Sequence, residues 1–124
     1  MEVFWSLEVD PILAAGRSLT VIGVRNWALD REKALNALTK LAKINVPVLG
    51  GDVYSVQDGV IDSTYDNWYC NRNNLESDSA YMERSISAAR DYILKFKPHK
   101  SMLFAIVPGE SREAKGQALP FACT

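Results

Sequence analysis

The chain has 124 residues, 48% of them hydrophobic and 23% charged, with a formal net charge of −1. That size suits one soluble domain, able to bury roughly two-thirds of its unfolded surface without covalent staples. The near-neutral charge argues against a general nucleic-acid binder, and no apolar run approaches the roughly 20 residues that cross a bilayer.

The N-terminus, Met1-Glu2-Val3-Phe4-Trp5, lacks the basic start of a secretory signal, so the expected compartment is the cytoplasm. There Cys70 and Cys123, far apart and without metal-ligand spacing, should be free thiols. Pro11 fits the first turn of a short helix over about 10–15, with Asp10 as its cap and Gly16 as its stop. Residues 18–27 show no clean alternation. They read as irregular or single-turn structure that buries Leu19, Ile22 and Trp27, and Trp5 is also assigned to the core.

The clearest helix spans 30–44. Asp30 can cap it, Ala34, Leu35, Leu38, Leu41 and Ala42 form its apolar stripe, and Lys40 and Lys43 suit its C-terminal end. Val46 to Leu49 runs extended around Pro47. Gly50-Gly51 is read as a tight turn, since it lacks the phosphate-loop pattern and leads into a strand. Asp52 to Val56 is a strand, Gln57-Asp58-Gly59 a turn, and Tyr65 to Asn71 the returning strand. On that strand Tyr65, Asn67 and Tyr69 alternate against Asp66, Trp68 and Cys70, with one face of the hairpin on helices and the other in water. A helix over 78–96, capped by Ser77 or Ser79, carries the stripe Tyr81, Met82, Ser85, Ala89, Tyr92, Ile93 and Phe96. Met102 to Val107 reads as a buried strand.

The fold class is therefore α+β. A small, mostly antiparallel sheet, from the hairpin at about 52–71 and the strand at about 102–107, packs on the helices at about 30–44 and 78–96. Residues 46–48 are a candidate extension of that sheet. One domain covers 1–108, and 109–124 is a polar, mobile tail.

Charge is unevenly spread. From Asp52 to Asp78, six acids face one base, Arg72, a local net of −5; the nine acids and thirteen bases elsewhere give +4. An acidic stretch bearing tyrosines points to a basic partner. The candidate binding residues are Asp52, Tyr54, Asp58, Asp62, Tyr65, Asp66, Tyr69 and Glu76. A catalytic alternative, a small hydrolase or transferase, would use Cys70 or these carboxylates. Cys70 needs a base to become a thiolate, and the one histidine, His99, is not near it in sequence. The carboxylates are spaced too thinly for an oxygen-only metal site. Neither catalytic residues nor a cofactor are expected.

Three blocks carry a resemblance. They are Asn26-Trp27-Ala28-Leu29, then Pro47-Val48-Leu49-Gly50-Gly51-Asp52-Val53-Tyr54, then Thr64-Tyr65-Asp66-Asn67-Trp68-Tyr69-Cys70. With Tyr81-Met82-Glu83-Arg84-Ser85 and Ala88-Ala89-Arg90-Asp91-Tyr92-Ile93, they resemble immunity protein 40 of bacterial polymorphic-toxin systems over most of residues 12–107. The resemblance implies a cytoplasmic antidote without chemistry of its own. Its partner would be a cognate toxin domain, bound one-to-one, with no direct contact to nucleic acid or membrane. It carries over no contact residues; the candidates above rest on charge and strand faces.

Overall fold

The hairpin forms the middle of the fold. In the computed structural model, which describes residues 2–110, β3 (Val48–Gln57) and β4 (Val60–Tyr69) pair antiparallel around Asp58-Gly59. Both turn residues have positive φ, 52° and 79°. That is the backbone of a two-residue type I′ loop, whose twist matches that of the strands it joins. β5 (Met102–Pro108) pairs antiparallel with the other side of β3, giving the order β4-β3-β5.

Two helices cover one face of this sheet. Asp30 caps α2 (Arg31–Lys43) by accepting the Lys33 N–H at 2.8 Å. Ser77 caps α3 (Asp78–Lys95) by accepting the Ala80 N–H at 3.1 Å. Leu38 and Leu41 of α2 and Ile86, Ala89 and Ile93 of α3 meet Val53, Trp68, Phe104 and Ile106 in the main core. Arg31 opens α2 and donates to the carbonyl of Ile93, to that of Phe96 at 3.1 Å and to that of Pro98 at 3.4 Å. Its cation thus meets the negative end of the α3 dipole and its orphan carbonyls.

The N-terminal segment serves both faces of the sheet. Its α1 (Asp10–Leu13) puts Leu13 into the main core beside α2, while β1 (Arg17–Ser18), a 3-10 turn over Thr20–Ile22, and β2 (Trp27–Ala28), which pairs with β1, lead the chain over the opposite face. Leu19 and Ala28 pack on Tyr54, Ile61, Leu103 and Ala105 in a second cluster. Leu29 and Phe104 exchange backbone hydrogen bonds of 2.8 and 2.7 Å, which occupies the outer side of β5 at its centre.

The α+β class and the main elements agree with the sequence; several details differ. β3 is longer than 52–56, because ladders on both its sides extend it beyond its local pattern, and β4 starts earlier than 65–71 but ends at Tyr69, leaving Cys70 and Asn71 outside it. The ladders draw Val48 into β3, so of the expected extension at 46–48 only Val48 is strand. Gly50-Gly51 is therefore mid-strand, not a turn. A Cβ at Gly51 would overlap the Trp68 ring and lie 2.6 Å from the Ala105 carbonyl oxygen, so only glycine fits under that indole. Asp10 is the first helical residue rather than the cap. Its carboxylate instead accepts the N–H groups of Phe4, Trp5 and Ser6 at 2.7, 2.8 and 3.3 Å. Leu19 is buried, but Ile22 and Trp5 are 43% and 38% exposed and Trp27 is half-buried. Trp5 lies along the surface with its indole N–H on Asn26 Oδ1 at 3.2 Å. The tail assigned to 109–124 falls outside the described residues beyond Glu110.

Candidate functional site

A bulge in β4 shapes the hairpin surface. Asn67 pairs with Asp52 and Ser63 with Tyr54, so Thr64-Tyr65-Asp66 stand against Val53 alone. Ser63 Oγ accepts the Tyr65 N–H at 3.0 Å, and Thr64 Oγ1 accepts the Asp66 N–H at 3.2 Å while donating to the Val53 carbonyl at 3.2 Å. The bulge thereby satisfies its own amides, holds Tyr65 at φ 67°, and throws that ring into solvent. Tyr65 is 89% exposed and Tyr69 75%. Alternation alone gives no sign of this bulge, although the adjacent hydroxyls of Ser63 and Thr64 are the local chemistry that sustains it.

Asp52, Asp58, Asp62 and Asp66 are all exposed, and among the described residues no ion pair involves any of them. They do not share one face. Asp52 pairs with Asn67 on the face turned away from the long helices. Partial burial raises its carboxyl above the ordinary value. Tyr54 beside it is raised by burial first and by the Asp52 charge second. Asp62 lies opposite Ser55, on the helix side. Asp66 is on that side too: its charge, after burial, raises Tyr92, which stacks on Trp68 at 4.7 Å. With Asp58 at the tip and Asp52 on the central strand, the four aspartates are spread over both faces of the hairpin.

The other two candidates lie elsewhere. Tyr54 is 6% exposed, its ring inside the second core cluster. Glu76 is bound by Arg84 through two bonds of 2.8 and 2.9 Å and accepts the Asn73 N–H at 3.0 Å. The Arg84 bonds first, then the Asn73 N–H, hold its carboxyl at about 2. Asp78, the sixth acid of the stretch, pairs with Arg72 at 2.8 Å. The two guanidiniums lie 4.7 and 5.7 Å from the Tyr81 ring centre, and the Tyr81 hydroxyl donates to the Cys70 carbonyl at 2.6 Å. These acids anchor the loop after β4 to α3.

Cys70 is buried, with Arg84 Nη1 3.1 Å from its Sγ. Its N–H bonds to Leu49 at one end of β3, whereas Val56 at the other end bonds to Ser101, beside His99. The strand between Leu49 and Val56 spans roughly 23 Å, so His99 cannot serve Cys70 as a base. Among the described residues no group of three or more His, Cys, Asp or Glu side chains is placed to hold a metal ion. No helix among them is long and apolar enough to cross a membrane.

No curated protein and no solved structure matches this chain. A family model described as immunity protein 40 matches residues 18–108, which take in the hairpin, both long helices and β5. The chain therefore belongs to the immunity protein 40 family, which gives it an immunity role and implies a toxin as its partner.

Proposed function

We propose that this protein is the cytoplasmic antidote of a bacterial polymorphic toxin, of the kind delivered by contact between cells. It binds the cognate toxin domain one-to-one and neutralises it through the acidic, tyrosine-bearing surface of the hairpin. The observation that carries this reading is the set of four exposed aspartates without ion-pair partners, flanked by the exposed rings of Tyr65 and Tyr69. Unpaired negative charges make the potential over the hairpin negative and steer a basic surface towards it. A nuclease supplies such a surface, because a cleft that binds phosphates is basic. Tyrosine rings then offer large contact area at little conformational cost. No bond is made or broken in this mechanism; neutralisation is binding.

The test is calorimetric titration against the C-terminal toxin fragment encoded by the gene just upstream. Tight one-to-one binding that weakens with added salt is expected, and no binding by a well-folded sample would overturn the reading. Cys70→Ser should leave protection of cells intact; loss of protection with the fold preserved would favour the hydrolase or transferase alternative.

A further inference from the structure

The backbone of β4 carries information that its side chains do not. In a hairpin closed by a two-residue turn, Gln57 and Val60 exchange both of their hydrogen bonds, and every second pair does the same. Ser55 with Asp62 is then a bonded pair, while Tyr54 with Ser63 and Val56 with Ile61 are not. Two bonds fix this phase. Val56 turns its N–H away from β4, to the Ser101 carbonyl at 3.0 Å, and beyond the bulge Cys70 turns its N–H inward, to Leu49 at 2.8 Å. The N–H and C=O groups of Ile61, Ser63, Asn67 and Tyr69 consequently point outward. Among the described residues no strand pairs with this edge, whereas the other edge of the sheet is met by Leu29 at Phe104 and by Asn26 at the Ile106 carbonyl.

An open edge is a template for another strand, and proteins guard such edges with bulges and charges. Here the guard is selective. A second copy of this hairpin would bring its own Asp62 and Asp66 to the same edge, and like charges repel across a ladder. A strand bearing Lys or Arg meets the opposite sign at the same positions. The bulge divides the edge into two short outward-facing runs, 60–63 and 67–69, and places Tyr65 between them as a marker of register.

We propose that the toxin domain adds an extended, Lys- or Arg-bearing strand to the free edge of β4. Main-chain bonds to Ile61, Ser63, Asn67 and Tyr69 supply the pairing, and the flanking aspartates select the partner. This rests on the antidote reading above and specifies how the contact is made.

The test is amide hydrogen exchange on the full chain, alone and with the C-terminal toxin fragment encoded upstream, together with the edge variant Asn67→Pro and its control Asn67→Ala. The amides of Ser63, Asn67 and Tyr69 should exchange fast in the free chain and about 100-fold slower or more in the complex, while Asp62 and Trp68 are protected in both. Asn67→Pro removes one outward donor at a position where the ladder to β3 does not need it, and should weaken binding roughly tenfold; Asn67→Ala should not. A complex that forms while these amides stay unprotected would overturn edge pairing and leave the antidote reading standing. Slow exchange already in the free chain would show an edge filled from within, and would overturn it equally. Absence of any complex would overturn both readings together.

Discussion

The acidic stretch falls into two parts whose carboxylates behave oppositely in structure. Around Tyr81, Glu76 and Asp78 are consumed by Arg84 and Arg72, and the carboxyl of Glu76 is held at about 2. On the hairpin, Asp52, Asp58, Asp62 and Asp66 pair with no cation among the described residues, and Asp52 is pushed the other way by burial. One half spends its charge holding a loop to a helix. The other keeps its charge for the solvent and for whatever approaches. The paired charges are explained by stability, whereas the unpaired ones remain available to a binding partner, as the proposed function requires.

Breaking the hairpin half should give the largest effect. Asp62→Lys with Asp66→Lys is expected to weaken toxin binding by about 10–10³-fold at low salt, mainly through the association rate. Stability should stay within about 0.5 kcal/mol of wild type. Stopped-flow association and thermal melting check the two halves of that statement, and an unchanged dissociation constant would sink it.

The converse variant attacks the paired half. Arg72→Ala leaves Asp78 short of its cation and strips one face from the Tyr81 ring. A loss of about 2 kcal/mol is expected by urea unfolding, less than the roughly 3–5 kcal/mol of a fully buried pair because Asp78 is 31% exposed. Binding measured well below the melting temperature should not change.

Acid sharpens the comparison without a mutation. Glu76 is held at about 2 against an ordinary 4.5, so its stabilising effect is complete above 4.5 and is lost as pH falls from there through about 2. A melting-temperature profile should fall over that window, and Glu76→Gln should flatten part of the fall. Asp52 has the opposite sign. Its raised carboxyl makes the ionised form a cost to folding that appears as pH rises through its titration. Asp52→Asn should thus raise the melting temperature slightly at pH 7 while weakening toxin binding, the smallest of these effects and the one a purely structural role would not produce.

The sequence made the long helices legible because their signals are local. Asp30 and Ser77 cap within hydrogen-bond reach of their own helices, and each apolar stripe repeats at helical spacing. Asp58-Gly59 marked the turn for the same reason. What stayed hidden depends on distant partners. Tyr54 is buried because Leu19 and Ala28 return over the second face of the sheet, and nothing between residues 52 and 56 announces that cover. Gly51 sits in mid-strand because the Trp68 ring needs its space. The charge asymmetry was visible, but its division was not, since Arg84, which neutralises Glu76, lies outside the acidic window. The bulge that exposes Tyr65 was equally silent, because a period-two pattern assumes a continuous ladder.

One paired measurement tests the division directly. Asp62→Asn with Asp66→Asn, and separately Glu76→Gln with Asp78→Asn, would each be titrated calorimetrically against the upstream-encoded toxin fragment and melted without it. Each double variant removes the same formal charge. The account predicts a crossover: the hairpin variant binds more weakly and melts like wild type, while the Tyr81-side variant melts lower and binds like wild type. Equal weakening of binding by both would reduce the surface to net charge, and weakening by the Tyr81-side variant alone would place the contact on the wrong half of the stretch.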